Sequence, residues 1–267
     1  MKVFMKRRGL KMTSMTSLIS GLFRQRNRNV YLATGISLLV LLVTAGYTLL
    51  HGLSLSNIGG DYGVIMTLAM IAMLFILAVQ NERVWTHNSY RLIPISDTKL
   101  YIGNMIATIL SFIYFSVIQI VILIICNIGS YSVFGSISNH ELLVLSSGSL
   151  MFILSFTFVW VFISMVNLIL KSIAAFLPEI RQRLFRVLIS LGVVVVVLYI
   201  FNTIEGFFGK FALQSHSLNF NGSADINLRI SEVFGVGTLY FAVIIVIMSL
   251  INIYLLEHWV ETKTTTN

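Results

Sequence analysis

The chain reads as an all-α integral membrane protein, with six transmembrane helices preceded by an amphipathic helix at the membrane interface. Three observations lead there. The 267 residues are 57% hydrophobic and only 10% charged, where an average soluble domain carries about 25% charged residues. Six apolar runs contain no Asp, Glu, Lys or Arg, and each approaches the ~20 residues that a helix needs to cross the hydrocarbon core. The charges collect in the gaps between runs, and the basic ones collect in alternate gaps. A soluble fold must cover itself with polar groups, and this chain has too few to do so. The net charge of +8 is therefore a matter of topology, and no nucleic-acid partner is expected.

Taken in order, residues 1–29 form a basic N-terminal segment, residues 30–256 the transmembrane domain and residues 257–267 a short tail. Within the first segment, Leu10, Met12, Met15, Leu18, Ile19, Leu22 and Phe23 fall near one helical face, with basic residues on either side. That pattern predicts a helix lying in the membrane interface, as a lipid anchor or a docking element. A cleaved signal peptide fits less well, because the first run is longer than a signal core and no small-residue cleavage site stands out.

The runs span 30–50, 62–80, 100–129, 142–170, 187–204 and 233–256. The third and fourth are long enough to tilt or to project from the bilayer. Both prolines, Pro94 and Pro178, lie in gaps, so no proline kink is expected in a span. Orientation follows from Lys and Arg. Lys2, Lys6, Arg7, Arg8, Lys11, Arg24, Arg26 and Arg28 precede the first run. Arg83, Arg91 and Lys99 follow the second, Lys171, Arg181, Arg183 and Arg186 follow the fourth, and Lys263 is in the tail. Only Lys210 and Arg229 fall on the other side. Basic loops stay in the cytoplasm, which puts both termini there.

Several chemistries are missing. No phosphate-binding G-x-x-x-x-G-K-[ST] loop and no zinc-binding HExxH motif is present. No enzyme activity, cofactor site or metal site is expected in this chain. The runs offer no side chains for a proton relay, which disfavours an ion-driven carrier. Ser147-Gly148-Ser149 resembles a nucleophile turn, but every histidine lies at a run edge or in a gap, and a serine nucleophile needs a base within reach. Close helix packing is the simpler reading of those small residues. The single cysteine, Cys126, excludes an internal disulfide.

The gap after the second run stands out. It carries Glu82, Arg83, Trp85, Tyr90, Arg91, Pro94, Asp97 and Lys99, whereas a plain connector needs only a few residues. Aromatics and arginines are the usual anchors of protein interfaces. Pro94 should end one short helix, and Ser96 or Asp97 can cap the next. Interfacial anchoring by Trp85 and Tyr90, with solvated charges, accounts for the same residues equally well.

Glu82-Arg83, then Tyr90-Arg91-Leu92-Ile93-Pro94-Ile95-Ser96, then Tyr101-Ile102-Gly103-Asn104 resembles the loop between the second and third helices of ABC-2 type permeases, the membrane subunits of ATP-binding-cassette exporters. Members of that family tend to have Gly-Lys opening the third helix, where this chain has Gly103-Asn104. The resemblance implies a permease subunit that binds no ATP itself, pairs with a second permease chain, and is driven by a separate ABC ATPase that binds the ATP. It implies that residues 82–99 couple to that ATPase and that residues 205–232 form an elaborated outer segment. It also implies a bacterial plasma membrane as the location. Uncharged spans suit an amphipathic, lipid-like or peptide cargo. A stand-alone polytopic protein, such as a channel, an immunity protein or a sensor, is the alternative expectation.

Overall fold

The computed structural model describes residues 14–51, 58–86, 95–127, 139–174 and 226–258, and within the fifth run residues 191, 192, 194, 195, 199 and 202. Five long helices account for nearly all of it: α1 (Met15–Leu50), α2 (Ile58–Thr86), α3 (Asp97–Asn127), α4 (Asn139–Ala174) and α5 (Ile226–His258). No strand occurs among the described residues. All five helices are long and apolar enough to cross a membrane. Their outward faces carry large apolar side chains, with Leu42, Leu145 and Leu239 each more than two-thirds exposed. Water would penalise such a surface, and a hydrocarbon solvent would not. The expected fifth span at 187–204 lies mostly outside the described residues, although the six of them that are described are all helical.

The N-terminal segment differs from the expectation. From Met15 onward the chain is continuous with the first span, forming one helix of 36 residues rather than a separate interface helix. At 1.5 Å per residue it is about 54 Å long, well beyond a hydrocarbon core of about 30 Å. Ser14 starts it by accepting a hydrogen bond from the Ser17 backbone N–H at 3.2 Å. Two residues of the expected apolar face turn inward against the bundle. Leu18 and Leu22 are buried together with Arg26 and Val30, forming a stripe at four-residue spacing. Leu18 packs over Gly103 of α3, where an added Cβ would come within 2.9 Å of the Leu18 side chain. Residues 10–13 lie outside the described part.

The packing fixes the direction of each helix. α1 and α3 share an end through Arg26 and Asn104, and the C-terminal part of α2 meets the same end through Asn81. α4 arrives there with Ser164 and α5 with Asn252. This is the basic end of the bundle. α4 and α5 form the most extensive pair and run parallel, because Gly148 meets Phe234, and Met151 meets Gly237, at the opposite end. The core between the helices is aromatic near mid-height. Phe112 stacks on Phe156 with ring centroids 4.6 Å apart, and Trp160 is edge-on to Phe112 at 5.4 Å. The Trp160 indole N–H donates to the Leu74 carbonyl at 3.0 Å, so this fully buried ring leaves no polar group unpaired.

α5 begins at Ile226, so residues 226–232 of the expected outer segment are the first turns of a helix. The hydroxyls of Ser147 and Ser149 donate to carbonyls of their own helix, those of Leu143 and Ser146. Gly148 lies against the Phe234 ring. This stretch packs helices, as the simpler reading of its small residues requires.

Candidate functional site at the basic end

Asn81 ends the apolar part of α2, and its side-chain nitrogen and oxygen and its backbone carbonyl all make bonds to other helices. Its side-chain NH2 donates to Ser164 Oγ on α4 at 2.9 Å. Its side-chain oxygen accepts from Asn104 Nδ2 on α3 at 2.6 Å and from Thr108 Oγ1 at 3.4 Å. Its backbone carbonyl accepts a second bond from Asn104 Nδ2 at 3.2 Å. Asn104 in turn receives Arg26 from α1. The guanidinium donates to the Asn104 backbone carbonyl at 3.0 Å and also to the Asn104 side-chain oxygen. Ser164 passes the chain on by donating to Glu82 Oε1 at 2.6 Å. Asn167 also hydrogen-bonds Glu82, and Lys171 is its neighbouring positive charge.

The result is a continuous polar seam through α1, α2, α3 and α4. Asn81, Asn104, Thr108 and Ser164 are each at most 1% exposed, and Arg26 is 3% exposed. A second link reaches α5, where Asn252 Nδ2 donates to Tyr101 Oη and to the Val161 carbonyl, each at 3.1 Å. Near the rim, Thr98 donates to Glu257 at 2.5 Å. Unmade hydrogen bonds are costly away from water, so such a seam favours one relative arrangement of the helices.

The residues expected to form the coupling loop are only partly described. Glu82 is built into the seam, and Arg83 lies exposed one residue on, in the last turn of α2. Trp85 belongs to the same turn. Tyr90, Arg91 and Pro94 lie outside the described residues. Asp97 opens α3, where its carboxylate complements the helix dipole, and Lys99 is exposed. α3 starts at the expected place, with the Ser96 carbonyl accepting from the Leu100 N–H at 3.0 Å.

Apart from Glu82, the seam was not among the expected site residues. Arg26 entered the sequence argument only as one of the basic residues that set orientation. Its spacing from Leu18, Leu22 and Val30 is the signal that it shares their inward face. Asn81, Asn104 and Asn252 are amides in or beside otherwise apolar runs, which is the pattern expected of interhelical hydrogen bonds. Gly103-Asn104 also acquires a local reason. Gly103 admits Leu18, and Asn104 presents acceptors to a cation supplied by α1. No group of residues suited to holding a metal ion occurs among the described residues.

The fold and site therefore define a polytopic helical membrane protein whose helices are tied at one end by buried amides and an arginine. No protein-family model matches the chain, and no curated protein or solved structure shows significant similarity to it.

Proposed function

We propose that the chain is the permease subunit of an ABC exporter, forming with a second permease chain a membrane pathway for an amphipathic, lipid-like or peptide cargo. A separate ATPase bound at residues 82–99 would drive it. One observation supports this most directly. The segment that resembles the coupling loop leaves α2 and enters α3 where the seam joins four helices. A partner pressing on that segment would act on Glu82, and through Ser164 and Asn81 on α4, α3 and α1 together. The loop would thus serve as a lever, and the seam would carry its motion to helices the partner does not touch.

Six spans and cytoplasmic termini belong to the same reading. α4 ends at the basic end with Ala174, and α5 starts at the opposite end with Ile226. In this reading the intervening chain returns across the membrane, and the apolar run 187–204 has the length and composition to do so. With that crossing both termini fall on the basic side, in agreement with the distribution of Lys and Arg.

The test is purification of the tagged chain from its native membrane with quantification of every co-purifying subunit. An ATP-binding-cassette ATPase in stoichiometric amount is expected, with ATP hydrolysis lost once that subunit is stripped away. Recovery of the chain without any ATPase, under conditions that preserve other membrane complexes, favours a stand-alone channel, immunity protein or sensor.

A further inference from the structure

Three arginines alternate in Arg24-Gln25-Arg26-Asn27-Arg28, and the helix sends them to opposite sides. Arg26 turns inward to Asn104, while Arg24 and Arg28 are exposed. Two residues along a helix amount to about 200° around it, so the alternation is what an α-helix requires. Arg24 and Arg28 lie one turn apart and line a surface concavity of about 590 Å³ with Asn27, Tyr31 and Leu32. Asn27 adds an amide whose oxygen has no hydrogen-bond partner in the structure. No acidic residue precedes Asp61 in the chain, so nothing on α1 neutralises these charges.

The face continues in a different character toward the middle of the helix. Gly35, Leu39, Leu42 and Gly46 follow at three- or four-residue intervals. Leu39 and Leu42 are 62% and 72% exposed, and a Cβ at either glycine would meet nothing within 4 Å. The order along the helix is therefore two guanidinium groups, a tyrosine at the polar boundary, and then an open apolar track. Tyr31 sits at that boundary with its hydroxyl 3.3 Å from that of Tyr114, the position interfacial tyrosines favour.

We propose that this face of α1 is a binding site for an anionic glycerophospholipid of the leaflet at the basic end. Arg24 and Arg28 hold the phosphate, and an acyl chain lies along Gly35, Leu39 and Leu42. Guanidinium groups suit phosphate because their fork donates two parallel hydrogen bonds. A diffuse basic surface would attract anionic lipid without an apolar track aligned beneath it, and here the two are in line. The proposal requires only that the basic end meets a membrane surface, and it is independent of any ATPase.

Native mass spectrometry of the purified full chain in detergent tests it, with phosphatidylglycerol and phosphatidylcholine offered in equal amounts. The readout does not depend on which side of a membrane α1 faces, so it stands apart from the topology and ATPase experiments. The unmodified chain is expected to retain phosphatidylglycerol in preference. Arg24→Gln with Arg28→Gln should reduce that preference roughly thirtyfold, since each basic residue near an anionic surface has a comparable and additive effect. Both side chains are exposed, so circular dichroism should be unchanged, and Arg24→Lys with Arg28→Lys should restore part of the preference. Lys2→Gln with Lys6→Gln removes the same charge elsewhere and should leave the preference intact. The site is overturned if the unmodified chain shows no preference, if the arginine variant keeps it, or if the lysine-segment variant loses it equally. Displacement of the lipid by an equal concentration of sn-glycerol 3-phosphate would likewise overturn it, by showing a site for free phosphate. So would a change in the monomer–dimer ratio of the arginine variant with its lipid retention unaltered.

Discussion

Arg26 and Asn104 show how a charged side chain is accommodated within a bundle whose surface is apolar. The guanidinium meets both oxygens of Asn104, and the Asn104 amide is spent on Asn81. Removing Asn104 alone would take the side-chain acceptor from a buried cation and leave it the backbone carbonyl of residue 104, while removing both partners would leave no buried charge and only Thr108 donating to the Asn81 side-chain oxygen. Asn104→Leu should therefore cost about 2–4 kcal/mol, and Arg26→Leu combined with Asn104→Leu should recover much of that loss. Thermal unfolding in detergent, followed by circular dichroism, measures the difference. Asn104→Lys should be as harmful as the leucine change, because two cations would then face each other in a region of low dielectric. A stability unchanged in Asn104→Leu would mean that the seam does not hold α1 against α3. The spacing of Arg26 from Leu18, Leu22 and Val30 puts it on their face of the helix, but neither the burial of that face nor the partner was legible. Asn104 is 78 residues away, and one sequence offers no rule that pairs them.

At the scale of helices, α1 and α3 meet closely because Gly103 leaves room for Leu18. The contact involves only the end of a flexible side chain, so Gly103→Ala should be tolerated with a small shift of Leu18. Gly103→Leu should cost about 1–3 kcal/mol by overpacking and should loosen the N-terminal turns of α1. Hydrogen exchange of the amides of residues 18–26 would report that loosening, and equal protection in both variants would contradict the packing described for α1. The positions of the helices were readable from hydropathy, since four of the six apolar runs fall wholly inside observed helices and a fifth, 100–129, is helical as far as Asn127. The nature of the N-terminal segment was not readable. An amphipathic stripe says that one face is apolar, and it does not say whether lipid or another helix covers it. Leu18 and Leu22 are covered by protein, whereas the basic flank of the same helix remains open. Boundaries followed the same logic. At the basic end every helix overran its apolar run, because polar residues such as Glu82 and Asp97 can continue or open a helix beyond the hydrocarbon.

For the molecule as a whole, the parallel course of α4 and α5 constrains topology. Reporters fused after Arg28, within 83–97, within 175–183 and after Lys263 should give cytoplasmic signals, and fusions near Gly59, Ser136 and Ser217 external ones. A cytoplasmic signal at Ser217 would contradict the crossing proposed between Ala174 and Ile226. In the proposed function, residues 82–99 receive an ATPase above the polar seam. The most direct test is a photo-crosslinking amino acid placed singly at Trp85, Tyr90 or Arg91 in the full chain, in its native cells, with each adduct identified by mass spectrometry. Docking there predicts adducts with an ATP-binding-cassette ATPase from these positions and none from the same probe at Ser136. It also predicts that Trp85→Ala with Arg91→Ala lowers ATPase recovery by roughly thirtyfold or more, the usual consequence of truncating interface anchors. Absence of any ATPase adduct from all three positions, or the same adduct from Ser136, would contradict it.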